Sequence, residues 1–240
     1  MNWLSQFWTR EGPGIPKDAP PKQGLALLAD VVARNWWELI QLNLLVVIFS
    51  LPLVTIPAAL AAATRICVLM LEDCNVYLGR DFLGAFRQMF WKATAVGVMG
   101  IGLAGLAAYA AYIFLQAAKA NLLLALPLTV SASTAVFAVI VASYAFILLA
   151  LRDQPLALLL KHALLGALAR PIPALAALGF VGLLWVLHIL FYPASLFMPA
   201  VINFSFGTLA VTFGVHRAAA RLLALDTGAG KSAAYAASSA

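Results

Sequence analysis

Residues 50–60 read SLPLVTIPAAL. They interrupt an apolar block spanning 39–71. As one helix that block would measure roughly 50 Å, too long for one upright crossing of a hydrocarbon layer about 30 Å thick. Pro52 removes a backbone donor and biases the residue before it away from the helical region, so a helix ends there. Thr55-Ile56-Pro57 has the form of a new helix start, with Thr55 as N-cap and Pro57 in the first turn. The stretch predicts two antiparallel segments, about 34–52 and 57–72, joined by a tight turn. The competing geometry is one kinked, strongly tilted helix.

Basic residues discriminate between the two, because cytoplasmic connections carry the excess of Lys and Arg. Segment 1–37 holds Arg10, Lys17, Lys22 and Arg34. Segment 72–92 holds Arg80, Arg87 and Lys92. Segment 152–170 holds Arg152, Lys161 and Arg170, and the chain from 217 onward holds Arg217, Arg221 and Lys231. All four can face one side only if the first block crosses twice. The expected topology has about six membrane segments and both termini cytoplasmic.

Lipid is the expected solvent on composition as well. Of 240 residues, 64% are apolar and 10% charged, against about 25% charged in soluble domains. Clean spans are expected at 93–118, 122–151, 172–192 and 196–216. The net charge of +6 is spread over four connections, which suits insertion and anionic lipid and excludes a nucleic-acid patch. Cys67 and Cys74 would lie about 10 Å apart along a helix, too far for a disulfide. The expected fold class is all-α: a polytopic membrane helical bundle. It comprises an N-terminal hairpin and two parallel modules, each an inner amphipathic helix followed by a hairpin. The module idea rests on GRDFLGAFRQMFWKA (79–93) and LRDQPLALLLKHALLGALAR (151–170), each opening near Arg-Asp.

Ahead of the first apolar block stands GPGIPKDAPPKQG (12–24), with four prolines and three glycines in thirteen residues. Such a stretch forms an extended or turning arm. The expected organisation is an arm at 1–33, a membrane bundle at 34–222 and a flexible tail at 223–240. GPGIPKDAPPK, RNWWELIQLNLL, SLPLVTIPAALAAATR and RDFLGAFRQMF, in that order, resemble the YesL family, a bacterial multi-pass membrane family of unknown function. The likeness covers roughly residues 5–220. Its members tend to be encoded beside sugar ABC-importer components. The resemblance therefore implies an accessory role in carbohydrate uptake, in the bacterial cell membrane, with ABC-type permease subunits as partners. It carries no binding or catalytic residue.

Polar groups inside apolar spans are costly and informative. Arg65 lies within the first block, and the hairpin sets Asn43 at equal depth with Gln41 nearby. A hydrogen-bonded Arg65–Asn43/Gln41 cluster is expected to lock the hairpin. Snorkelling towards Glu72 is the alternative, and a guanidinium also suits carboxylate or phosphate. Asn203, Ser205, Thr208 and Thr212 stripe the last span; Ser131, Ser133, Thr134 and Ser143 mark another. These groups suit helix–helix glue, and equally a sugar path. Gly100, Ala104 and Ala108 form a small-residue face for close packing, within the chain or between copies.

Three scattered histidines offer no metal-ligand spacing. No G-x-S-x-G elbow occurs, and Gly230-Lys231-Ser232 lacks the first glycine of a phosphate loop. No catalytic residue, metal or cofactor is expected. The expectation is a non-enzymatic membrane accessory protein, with an autonomous small-solute or sugar transporter or channel as the alternative.

Overall fold

The structure is a computed structural model that describes residues 24–119 and 121–238, with side chains as far as Leu225. The arm up to residue 23 lies outside the described residues. Within the range expected as arm, a helix already begins at Leu25. The helices are α1 (Leu25–Arg34), α2 (Trp36–Phe49), α3 (Ile56–Leu71), α4 (Leu78–Ala118), α5 (Ala125–Leu151), α6 (Leu156–Ala169), α7 (Pro171–Leu190) and α8 (Phe204–Ser238). Single 3₁₀ turns at Leu53–Thr55 and Leu122–Leu124 lead into α3 and α5, and a π turn at Pro199–Asn203 leads into α8. The described residues contain no strand. The chain is an all-α polytopic membrane bundle. Five helices are long and apolar enough to cross a bilayer. Six spans result if α1 and α2, bent by 80° at their junction, count as one.

The break at 50–55 is where the sequence places it. α2 ends at Phe49 and α3 starts at Ile56, with Pro57 in its first turn. Thr55 acts differently from an ordinary N-cap. Its hydroxyl donates backwards to the carbonyls of Phe49 and Pro52, tying the turn to the end of α2. At the other end of α3, Asp73 takes a left-handed φ of 57°, and the Cys74 N–H returns to the Leu69 carbonyl at 2.9 Å. This cap satisfies carbonyls that a helix end leaves orphaned. It also presents the Asp73 carboxylate to Arg34 at the end of α1, so the α1–α2 junction is held to the end of α3.

α3 is the hub. Its alanines Ala58, Ala59, Ala61, Ala62 and Ala63 are fully buried, as are Ile66 and Cys67. A helix apolar all round belongs in the middle of a bundle, and alanine lets neighbouring backbones come close. α3 packs against α4, α5, α8 and α2. At Gly97 of α4 a Cβ would lie 2.4 Å from the Pro57 ring carbons, so glycine is what permits that crossing.

The two inner stretches named as modules are both helical, with different joins. Residues 79–93 run without a break into the following span, giving the 41-residue α4. Nothing there stops a helix: no proline occurs between Leu78 and Ala118. In the second, Arg170-Pro171-Ile172-Pro173 separates α6 from α7, because the residue before proline avoids the helical region and proline suits a first turn. Tyr144 seals this corner. It is fully buried and donates to the Arg170 carbonyl at 2.7 Å. Its ring lies where a Cβ on Gly166 of α6 would come within 2.6 Å.

Charged groups collect at one end. Besides Arg34–Asp73, Lys92 pairs with Asp153 and donates to the Gln154 carbonyl, and His216 Nε2 lies 3.2 Å from Glu72 Oε1. Residues from three of the four basic segments thus pair there, and Arg217 of the fourth lines a space with Leu25 and Leu71 beside them. At the opposite end, the α4–α5 hairpin outgrows the rest. Between Gly97 and Ala138, Ala107 is the only described residue that is buried. The last helix continues through 223–238, where a tail was expected. That stretch is rich in alanine, the strongest helix former.

Candidate functional site

The bundle interior holds polar groups from α2, α3, α5 and α8. Asn43 on α2 is fully buried and satisfies four backbone groups at once. Its amide nitrogen donates to the carbonyls of Pro199 (2.9 Å) and Ala200 (2.7 Å). Its amide oxygen accepts from the N–H groups of Phe204 (2.9 Å) and Ser205 (3.0 Å). These groups lie on the π turn before α8 and in the first residues of α8. One side chain on the first hairpin therefore holds the entry of the last helix. π turns inside helical runs frequently mark functional positions.

The expected Arg65–Asn43/Gln41 cluster does not form. Asn43 faces α8, whereas Arg65 reaches α5 and donates from Nη1 to the Ala150 carbonyl at 2.8 Å. Arg65 thereby lines a polar cleft of about 570 Å³ at the charged end, with Asn75, Arg80, Gln88 and Arg152. The carboxylates Asp81 and Asp153 line it too. A long guanidinium side chain extends to the polar end, while a short amide bonds where it stands. Gln41 is half-buried and joins neither group.

The stripe runs from the π turn into α8 and faces the inside of the bundle. Ser205 and Thr212 are fully buried, and Asn203 is 2% exposed. Ser205 Oγ donates to Ile202 O at 3.2 Å; Thr208 and Thr212 donate to the carbonyls four residues back. Asn203, Thr208 and Thr212 border a cavity of about 220 Å³ between α3, α5, α7 and α8. Ser143 of α5 and Thr64 of α3 complete its polar lining. Sequence reasoning missed Thr64. Its one available signal was a hydroxyl in an otherwise alanine-filled core helix. Ser131 and Thr134 donate to their own helix and stand away from this cavity.

Of the small-residue face on α4, Gly100 packs within the chain, where an added Cβ would come 3.1 Å from Ala142 of α5. Beyond it Ala104, Gly105 and Ala108 border an apolar groove of about 560 Å³ between α4 and α5. Pro57 and Leu60 of α3 close its root. Among the described residues no group of three or more His, Cys, Asp or Glu side chains could hold a metal ion. Cys67 and Cys74 are free, the first buried and the second exposed.

These features define an integral membrane protein with a polar interior and an incompletely covered hairpin. Residues 39–112 match the model of a family described as a protein of unknown function, DUF624. The match takes in most of α2, all of α3 and most of α4, and so includes Asn43, Arg65 and the Pro57–Gly97 crossing. No curated protein and no solved structure matches the chain.

Proposed function

We propose that this chain is a YesL-type accessory protein of the bacterial cell membrane that assists carbohydrate uptake, without enzymatic activity. In this role it seats a transmembrane helix of an ABC-type permease subunit in the α4–α5 groove. The observation that carries the reading is the bare distal half of that hairpin. Its α4 face offers Ala104 and Ala108 one turn apart, bordering the groove beyond the internally packed Gly100. Small residues at that spacing let a second helix approach closely, and van der Waals packing then drives association within lipid. The sugar and the permease come from the resemblance of the arm and the SLPLVTIPAALAAATR stretch. The shared end of the four basic segments supports a cytoplasmic location for that end.

Cross-linking in cells tests this. Ala104→Cys is expected to cross-link to a permease subunit, and Ala104→Trp, which fills the groove, to abolish both cross-linking at neighbouring positions and co-purification. Permease recovery that Ala104→Trp leaves unchanged would sink the reading, and a cross-link between two copies would assign the groove to self-association. The polar cavity at Asn203 favours a second reading, an autonomous transporter. Sugar movement into liposomes containing this protein alone would select it.

A further inference from the structure

The cavity between α3, α5, α7 and α8 has a one-sided hydrogen-bonding inventory. Each hydroxyl around it has already spent its proton on its own helix. Thr64 Oγ1 donates to Leu60 O (2.8 Å), Ser143 Oγ to Val139 O (2.9 Å), Thr208 Oγ1 to Phe204 O (2.8 Å) and Thr212 Oγ1 to Thr208 O (2.7 Å). A hydroxyl committed in this way keeps only acceptor capacity. Asn203 adds one more acceptor and two donors, and neither its amide oxygen nor its amide nitrogen has a protein partner although both atoms are buried. An unpaired buried amide is costly, the more so where lipid replaces water. Thus five acceptor oxygens and one amide N–H₂ group face a common space, and no ionisable side chain lines it.

We infer that this cavity binds the hydroxyl group of a neutral molecule. A hydroxyl both donates and accepts, so it can accept a hydrogen bond from the Asn203 amide and donate one to a threonine oxygen. Carboxylates and phosphates accept only, and find no cation here. An ammonium would donate, but would be desolvated without a counter-charge. The wall on α7 selects the source. Leu178, Val181 and Trp185 line the cavity, and all three are partly exposed on a helix apolar enough to cross the bilayer. A cavity walled by a lipid-exposed helix favours a hydroxyl carried on a lipid over one on a soluble polyol. The inference does not rest on the permease groove, with which this cavity shares Leu60 and Phe146 as walls.

The test uses the full chain in phosphatidylcholine nanodiscs, with bound neutral lipid read by native mass spectrometry. Dioleoylglycerol, which has a free hydroxyl, is expected to bind saturably, and trioleoylglycerol, which has none, is not. Asn203→Leu should weaken binding more than tenfold. The near-isosteric Thr212→Val removes one acceptor and should weaken it about two- to tenfold, the range for a single hydrogen bond. It also serves if Asn203→Leu does not fold. Glycerol bound in place of dioleoylglycerol, with the same sensitivity to both variants, would keep the hydroxyl site and move its source to water. Equal binding of the two acylglycerols, indifference to both substitutions, or no binding of either probe would overturn the inference.

Discussion

Replacing Asn43 by leucine should unfasten the last helix from the first hairpin. The substitution keeps size and gains apolarity, so any loss comes from hydrogen bonds. Four disappear together: two from the amide nitrogen to Pro199 and Ala200, and two from Phe204 and Ser205 to the amide oxygen. Interhelical hydrogen bonds in membranes average about 0.6 kcal/mol. Intramolecular bonds in general reach about 1.5 kcal/mol, and orphaned buried groups cost more. Four bonds therefore put the destabilisation at roughly 2–6 kcal/mol. Unfolding by sodium dodecyl sulfate in mixed micelles would measure it. Hydrogen exchange at the Phe204 and Ser205 amides would locate it, because those two should accelerate beyond the rest of α8. A loss below about 0.5 kcal/mol, with exchange at 204 and 205 unchanged, would refute the account of the π turn given above.

Gly97→Leu should destabilise by about 1–3 kcal/mol or more through overpacking against Pro57, where even a Cβ has no room, and thermal melting in detergent would show it. Impermeant maleimide should label Cys74 from the cytoplasmic face only, in inverted vesicles rather than intact cells, and should leave buried Cys67 unmodified on both faces. Labelling of Cys74 in intact cells would reverse the proposed orientation. Lys92→Glu should cost less than about 1 kcal/mol because its partner Asp153 is largely exposed, and Asp153→Lys added to it should recover most of the loss in a double-mutant cycle.

Much of this architecture was legible wherever the backbone itself was constrained. Pro52, Thr55 and Pro57 announced the hairpin, because proline acts on its own chain whatever surrounds it. Apolar run lengths were similarly informative about the long helices. The change from amphipathic to uniformly apolar sequence at 92–93 was not a boundary, because a change of solvent does not stop a helix. Pairings across the bundle were less accessible. Depth can be counted along a helix, so Asn43 and Arg65 looked like neighbours, yet the facing direction is set by packing and sent one to α8 and the other to α5. Thr64 joined a cavity with residues about 140 positions away, and its spacing within α3 carries no trace of them. The π turn was hidden because its compensation, Asn43, lies on another helix.

The unequal lengths of the helices have a mechanical consequence. α5 has 27 residues and the lipid-exposed α7 only 20, which at 1.5 Å per residue is about 40 Å against about 30 Å. A bilayer meeting this protein must thicken along one flank and not the other, or tilt the molecule, at a cost of fractions of a kcal/mol per Å of mismatch. Membrane thickness thus acts on the bundle asymmetrically, and lipids of different acyl length would favour different inclinations of the long hairpin.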